Sequence, residues 1–211
     1  MLRRRYLPHL EFPNSSYFVT FRLAGSIPKS VLDGWNFERY AIKRETERQK
    51  RKLSEYERTR LDYLFSAKIE NYLHLGHGVC WLQNPRIAEI TIDTLKRFDE
   101  DRYRLHAWCV MPNHVHVVFT AISKGSETTS DLIPILHSWK SYTAHQANKI
   151  LARTGPFWQE EYYDRRIRGD EEFGHFINYT LQNPVFARFC NLWSDWQWSG
   201  CSQTIHKMMN D

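Results

Sequence analysis

The chain has 211 residues, of which 42% are hydrophobic and 25% charged, so it can bury a substantial core and is not a disordered segment. Lys and Arg outnumber Asp and Glu by 29 to 24, and the net charge of +5 favours a polyanionic partner without identifying one. The four cysteines form no CxxC pair, which argues against a zinc ribbon or a disulfide framework and predicts a reducing, cytoplasmic environment. Since no window approaches 18 uninterrupted apolar residues, we expect a soluble, unprocessed protein that does not engage a membrane.

The first predicted element is a strand over residues 16–24. Its side chains alternate in character, with Val19 and Phe21 on one face and Thr20 and Arg22 on the other. This alternation is typical of a strand with one face turned to a core.

A helical insertion is predicted next, over about residues 29–75. Residues 39–60 carry nine Lys or Arg against four Glu and contain neither Gly nor Pro, which favours a long exposed helix or a helix pair. The basic residues have two interpretations, a solvated helical face or a DNA contact, and the solvated face is the more common case.

A helix and a hairpin follow the insertion. The helix begins at Pro85, a residue suited to a first turn, and places Ile87 and Leu95 inward. Residues 103–110 and 114–122 then read as two strands, and the three residues between them, Met-Pro-Asn, are short enough to make the strands pair antiparallel.

The remaining elements are a helix from about Asp131, a strand over roughly 158–167 and a last helix from Asp170 to about Asn183, ended by Pro184. With the insertion set aside, this order predicts an α+β fold, a ferredoxin-like split antiparallel sheet with helices on one face and an appended C-terminal helix. We expect a single domain over residues 1–211. Its Trp-rich tail, about 190–211, could stack bases, but we expect it to dock on the domain.

Two histidines, His114 and His116, alternate with Val115 and Val117 in the second strand of the hairpin. Side chains two residues apart in a strand point to the same face, so the imidazoles are expected to project together from an open face of the sheet while the valines enter the core. A metal site and a pair of surface histidines both fit this pattern, and the pattern alone leaves both open.

The last predicted helix brings polar side chains to one flank. Tyr179 and Asn183 are four residues apart and, with His175, fall along one stripe beside the apolar face. A Tyr in such a position is usually the edge of a core. It becomes a candidate nucleophile only if the stripe packs over the two histidines.

Six segments carry more information together than singly. They are YLPHLEFPNSSYFVTFRL, GHGVCWLQNPRIAE, AWCVMPNHVHVVF, ILHSWKSYTAHQAN, GPFWQEEYYDRRIR and NYTLQNPV. The third contains His114-Val115-His116, which looks like the HUH metal motif (histidine, hydrophobic residue, histidine), and the last looks like a Tyr-x-x-x-Asn-Pro-Val stretch. In this combination and order the chain resembles the REP-associated tyrosine transposases, HUH-superfamily relatives of the single-strand transposases of small insertion sequences.

The resemblance implies a metal-dependent single-strand DNA endonuclease and strand transferase that acts at repetitive extragenic palindromes (REPs). It implies Tyr179 as the nucleophile of a covalent 5′-phosphotyrosine and His114, His116 and Asn183 as ligands of Mg²⁺ or Mn²⁺. A phosphotyrosine conserves the energy of the phosphodiester for rejoining, and a Tyr with an ordinary pKa of about 10 needs help from a cation at the phosphate. The implied partner is single-stranded or hairpin DNA, with no small-molecule substrate, and the implied assembly is a monomer or homodimer.

Six basic residues are candidates for DNA contact, namely Arg3, Arg4, Arg5, Arg22, Lys140 and Arg165. The first three could equally be a solvated terminus, and Arg165 could pair with neighbouring carboxylates. Two other functional classes stay open. One is a non-catalytic single-stranded nucleic-acid binding module on a ferredoxin-like sheet, and the other is a metallohydrolase that uses the two histidines without a covalent step.

Overall fold

We describe a computed structural model over residues 14–65, 67–122 and 132–210. The described residues form two compact units, one from residues 14–24 together with those from 81 onward, and one from residues 25–80. The first unit holds the sheet and the second is helical. Within the described ranges, no helix is both long and apolar enough to cross a membrane.

The first unit contains one sheet of five strands. They are β1 (Ser16–Arg22), β2 (Tyr103–Val110), β3 (His114–Ala121), β4 (Tyr163–Arg166) and β5 (Ser199–Cys201). Their order is β4-β1-β3-β2-β5, and every neighbouring pair is antiparallel. The predicted α+β class and split antiparallel sheet are therefore confirmed, with β3 at the centre between β1 and β2.

Seven helices accompany the sheet in the described ranges. They are α1 (Lys29–Arg48), α2 (Glu55–Phe65), α3 (Ala67–His74), α4 (Pro85–Lys96), α5 (Leu132–Ile150), α6 (Asp170–Phe186) and α7 (Gln203–Asn210). The beginning of α4 is fixed as the sequence predicts, because Pro85 occupies the first turn and the Asn84 side chain accepts a hydrogen bond from the Arg86 N–H. Asp131, the predicted start of α5, lies outside the described residues.

One face of the sheet, which we call the α4/α5 face, packs against α4 and α5. Phe119, Tyr103 and Trp139 form a mutual cluster with ring centroids 5.1–5.8 Å apart, and all three are buried. The two polar atoms in this cluster have partners, because the Trp139 indole donates to the Tyr103 hydroxyl, which donates to the Leu95 carbonyl. Aromatic packing with its polar atoms satisfied makes this face a stable core.

The hairpin of β2 and β3 forms as predicted. The Met111 N–H donates to the His114 carbonyl across the Met-Pro-Asn connection, with 2.9 Å between N and O. The register shifts between Leu105 and Ala107, so His106 occupies a β-bulge. This bulge turns His106 toward Thr120, whose hydroxyl lies 2.7 Å from the imidazole Nε2.

The fourth strand is shorter than the predicted range of 158–167. Trp158 makes an isolated bridge to Leu23, and regular pairing with β1 resumes only at Tyr163, opposite Thr20. Five steps along this segment therefore match three steps along β1, and the two extra residues interrupt the ladder. The Phe157–Tyr162 stretch is held instead by individual bonds such as the Gln159 N–H to the Arg22 carbonyl.

The Trp-rich tail docks on the sheet unit, as expected, and also supplies β5, which the sequence analysis did not predict. The Trp196 indole donates to the Val110 carbonyl, and the Val110 N–H donates to the Trp198 carbonyl. Gly200 makes this close approach possible, since a Cβ there would lie 2.5 Å from the Trp108 ring.

The prediction that Pro184 ends the last helix is wrong, because α6 continues through it to Phe186. A proline removes its own N–H bond and crowds the carbonyl four residues earlier, but it leaves the bonds on its C-terminal side intact. The Ala187 N–H donates to the Asn183 carbonyl and the Phe189 N–H to the Pro184 carbonyl. Asn183 is therefore held inside the helix and is fully buried, and it is not at a frayed end.

The helical unit is divided where the sequence allowed either one helix or a pair. The chain turns at Lys50, where φ is +48°, and α2 begins with a capping box. In this box the Ser54 hydroxyl accepts from the Glu57 N–H and the Glu57 carboxylate accepts from the Ser54 N–H. Charged pairs such as Arg60 with Glu38 lie on the surface of this unit, and pairs of this kind contribute little stability each.

Candidate active site

The two histidines of the HUH-like motif meet on the second face of the sheet. The Nε2 atoms of His114 and His116 lie 3.0 Å apart, and the ring planes are nearly perpendicular. The expectation of convergent imidazoles is therefore confirmed, but the expectation of an open face is wrong. Both side chains are fully buried, and a second packed layer lies against this face next to His116.

That second layer is helix α6, and we call this side of the sheet the α6 face. Phe18 of β1 stacks on Phe176 of the helix at 4.5 Å between ring centroids. Around it lies a cluster of buried apolar residues that includes Val118, Ile177 and Leu181. The amphipathic pattern of the helix thus packs its apolar residues against Phe18 of β1 and Val118 of β3, next to His116.

Tyr179 is part of this layer. Its ring centroid lies 5.6 Å from that of His116 and 5.6 Å from that of Phe18, edge-on to both. The side chain is half-buried, and His175, one turn earlier, stacks beside it at 6.4 Å while remaining exposed. Of the stripe predicted from the helical spacing, Tyr179 therefore lies against His116.

Two further polar side chains on α6 are buried. Asn183 lies one turn beyond Tyr179 with no exposed surface. Thr180 is also fully buried, and its hydroxyl makes no hydrogen bond to any atom in the described part of the chain. Burial of a hydroxyl without a hydrogen bond costs free energy.

Each imidazole also has a hydrogen-bonding partner at its Nδ1 atom. The amide Oδ1 of Asn113 lies 2.6 Å from Nδ1 of His114, and the hydroxyl of Thr20 lies 2.8 Å from Nδ1 of His116. The sequence analysis did not single out either residue. The alternation of β1 carried a usable signal, because it placed Thr20 on the face opposite to Val19 and Phe21.

The histidine pair fits a divalent cation. Neighbouring ligands of an octahedral ion at about 2.0–2.1 Å lie about 2.9 Å from each other, which matches the separation of the two Nε2 atoms. Imidazole nitrogens suit Mn²⁺ better than Mg²⁺, and the Asn183 carbonyl would add an oxygen of the kind that both ions accept. The donor set is therefore compatible with either predicted ion.

Of the six candidate DNA-binding residues, the structure describes three. Arg3, Arg4 and Arg5 lie outside the described residues, and the other three all have internal contacts, so their contact with DNA stays a prediction. Burial lowers the pKa of Arg22 to about 10.

The other two basic residues are held by named partners. The ammonium of Lys140 donates to the Gln159 and Glu160 carbonyls at 2.7 and 2.8 Å. Arg165 pairs with Glu172 at 2.8 Å on the surface. An exposed pair of this kind is easily exchanged for a phosphate, whereas Lys140 would first have to leave two carbonyl oxygens.

Comparisons with known proteins agree with this arrangement. Residues 83–179 match the family model described as "Transposase IS200 like", a range that contains both histidines and ends at Tyr179. A REP-associated tyrosine transposase of Escherichia coli K12 is 24% identical over 105 residues, and a curated relative from Haemophilus influenzae is 21% identical over 105 residues. The alignments cover 50% and 47% of this chain and 56% and 59% of the relatives, so the chain spans little more than half the length of the curated relatives it matches.

A solved structure of a REP-associated tyrosine transposase bound to a REP hairpin has the same fold. It superposes with a TM-score of 0.54 at 15% identity, covering 98% of this chain and 86% of the other. The family model and the curated relatives confirm the resemblance on which the sequence analysis relied, and the superposition shows the same fold. The chain is similar to the REP-associated tyrosine transposases and, over residues 83–179, to the IS200-like transposases.

Proposed function

We propose that this protein is a metal-dependent single-strand DNA endonuclease and strand transferase that cleaves at hairpin-forming REPs through a covalent 5′-phosphotyrosine on Tyr179. One observation carries the proposal. The Tyr179 ring lies edge-on to His116, and His116 shares a 3.0 Å Nε2 to Nε2 contact with His114. A nucleophile and a pair of nitrogen donors are thus neighbours in a chain whose relatives are tyrosine transposases.

His114, His116 and Asn183 would hold the cation. When bound, a divalent cation supplies polarisation of the scissile phosphate and stabilises the charge that develops on it. The 3.0 Å separation of the two Nε2 atoms supports this assignment, because neighbouring ligands of one ion lie about this far apart. Both imidazoles are fully buried, so DNA can reach a cation there only if side chains that now cover them move.

Tyr179 would perform the covalent step. Its phenolic oxygen forms a bond to phosphorus while the bond from phosphorus to the 3′ oxygen breaks, so the 5′ side stays on the protein and a 3′-hydroxyl is released. The phenol loses its proton to water and the 3′ oxygen gains one, and the step therefore balances without a cofactor such as ATP. Attack of a 3′-hydroxyl on the phosphotyrosine reverses the step and rejoins the strand.

The substrate assignment is supported by the names of the relatives and by the REP hairpin in the similar solved structure. A positive net charge and the exposed Arg165 suit a polyanionic partner. We propose single-stranded or hairpin DNA as the partner, bound by a monomer or homodimer, with Arg3, Arg4, Arg5 and Arg22 as further contacts. A chromosomal palindrome as target implies the cytoplasm as the location.

The non-catalytic binding module receives less support. Such a module stacks bases on aromatic side chains exposed on its sheet, whereas Phe18 is already stacked on Phe176. The α4/α5 face is equally filled, with Phe119 and Tyr103 buried against Trp139. Within the described residues, neither face offers the platform that this alternative requires.

The experiment is cleavage of a REP-type hairpin oligonucleotide with a single-stranded flank, in the presence of Mn²⁺, by the unmodified protein and by Tyr179→Phe. The Phe variant keeps the ring against Phe18 and His116, so we expect folding and hairpin binding to be retained while cleavage and the covalent complex disappear. Tyr163→Phe is the matched control, since Tyr163 packs on the same Phe18, and it should cleave normally. Cleavage by Tyr179→Phe would contradict the proposal.

A further inference from the structure

The two imidazoles are the middle links of a chain of four polar side chains. Asn113 Oδ1 lies 2.6 Å from His114 Nδ1, the two Nε2 atoms lie 3.0 Å apart, and His116 Nδ1 lies 2.8 Å from the Thr20 hydroxyl. Each nitrogen of both rings thus lies at hydrogen-bond distance from one partner. In every one of these contacts one atom must donate a proton and the other must accept it.

One end of the chain fixes the direction. An amide oxygen only accepts hydrogen bonds, so the contact with Oδ1 requires a proton on Nδ1 of His114, and with one proton on each ring the lone pair of His114 is on Nε2. That lone pair accepts from the Nε2–H of His116. Nδ1 of His116 then carries a lone pair, and the Thr20 hydroxyl donates to it.

Binding of a cation changes which ring nitrogen of His116 can carry a proton. A metal-bound imidazole nitrogen carries no proton, so His116 can use Nε2 as a ligand only as the tautomer with its proton on Nδ1. The proton leaves Nε2 and one arrives on Nδ1 of the same ring, with no net change. The partner of Nδ1 must then accept a hydrogen bond where before it donated one, and a hydroxyl can do both.

We propose that Thr20 and Asn113 are positioning residues of this site, with different tasks. Asn113 permanently holds His114 as the tautomer that presents the Nε2 lone pair, and Thr20 is the two-way partner that lets His116 change tautomer when a cation binds. The inference rests on the proposed function, because it takes the cation to be bound by the two Nε2 atoms.

The fold supports this division of tasks. Asn113 lies in the tight connection of the hairpin and is fully buried, and the N–H of Leu23 donates to its backbone carbonyl. Thr20 is the register partner of His116 across β1 and β3 and is only half-buried, in contrast to Asn113. Asn113, which always accepts the hydrogen bond, is thus fully buried, and Thr20, which can donate or accept, is partly exposed.

The test measures Mn²⁺ affinity of the full chain without DNA, by isothermal titration, for Thr20→Val, Thr20→Ser and Asn113→Leu. We expect the Val and Leu variants to bind Mn²⁺ about 10–100-fold more weakly, as is typical when an outer partner of a ligating His is lost, and the Ser variant to bind like the unmodified protein. Ser16→Ala is the matched control, since it removes a hydroxyl from a 2.7 Å pair between the same two strands and should leave the affinity unchanged.

A second measurement does not depend on the stability of the variants. Imidazole ¹⁵N NMR of the unmodified protein should find the His116 proton on Nε2 without a cation and on Nδ1 with Mg²⁺, while His114 keeps its proton on Nδ1. An unchanged His116 tautomer, or a folded Thr20→Val that binds Mn²⁺ normally, would overturn this inference and leave the proposed function intact. Failure of the unmodified protein to bind Mn²⁺ or Mg²⁺ would overturn both.

Discussion

The α4/α5 face and the α6 face of the sheet are built from alternate residues of the same strands, yet the side chains buried on them differ in polarity. On the α4/α5 face, Val117 and Phe119 of β3 are buried among apolar side chains. On the α6 face, His114 and His116 of the same strand are buried just as completely. The side chains on the two faces are equally buried, but those on one face are apolar and those on the other are polar. Burial alone therefore does not explain why histidines occupy positions 114 and 116.

The difference has an energetic consequence. Apolar burial stabilises the fold by roughly 25 cal/mol per Å², whereas burial of a polar ring gives little net gain even when both nitrogens are hydrogen-bonded. The α4/α5 face gains stability from its apolar side chains, whereas the two imidazoles and the Asn183 amide gain little from their burial. This is the pattern expected if these polar residues serve the proposed reaction.

Among substitutions that test the difference between the two faces, we expect His116→Ala to cause the largest loss of cleavage activity. Loss of one nitrogen donor should lower cleavage by more than the roughly 10–100-fold typical for loss of an outer partner, while hairpin binding is largely kept. The measurements are cleavage in Mn²⁺ and hairpin affinity on the same preparation. An equal loss of binding and cleavage would mean that the histidine is structural.

The opposite pattern is expected on the α4/α5 face, three residues along the same strand. Phe119→Ala should lower the free energy of unfolding by about 3–5 kcal/mol, because it opens a cavity between Tyr103 and Trp139. Urea unfolding measures this loss. Protein that remains folded should bind Mn²⁺ like the unmodified chain, and a specific loss of Mn²⁺ affinity would contradict the division between the faces.

A smaller effect is expected for Asn183→Ala. Water can replace an amide oxygen at a cation, so cleavage should fall by about 10-fold, less than for His116→Ala. Raising the Mn²⁺ concentration should recover part of the rate. A loss as large as that of His116→Ala would show that Asn183 does more than donate an oxygen.

The smallest effect concerns pH and His106, which lies in the bulge of β2. Burial lowers the pKa of His106 to about 4 from an ordinary value of 6.5, so the folded state favours the neutral ring. Its contribution to stability is complete above pH 6.5 and is lost as the pH falls toward 4. We expect His106→Gln to show a shallower decline of the melting temperature than the unmodified protein over this range, and identical slopes would contradict the assignment.

The sequence predicts the central part of the fold well, and the reason is periodicity. The alternation of side chains in β1 and β3 and the short connection between β2 and β3 leave few other pairings. The tail strand β5 could not be predicted, because Ser199–Cys201 has no apolar alternation and is ordered by pairing with β2. Pro184 misled the prediction since its effect falls on the preceding turn only.

For the site, spacing predicted which residues would come together but not their environment. The positions of His114, His116 and Tyr179 follow from strand and helix periods once the elements are correct. Their burial depends on how α6 packs, which involves contacts such as Phe18 with Phe176 that are distant in sequence. The role that we assign to Thr20 needs the register of β1 against β3, and a single sequence does not contain it.

The most direct test of the central claim is to locate the covalent bond. The unmodified protein is incubated with a labelled REP-type hairpin and Mn²⁺, digested with a protease, and analysed by mass spectrometry for a peptide that carries a 5′-phosphonucleotide. We expect the adduct on Tyr179, in the peptide that contains NYTLQNPV. An adduct on Tyr142, Tyr162 or Tyr163, or hydrolysis of the DNA without any adduct, would contradict the claim, and the second result would favour a metallohydrolase.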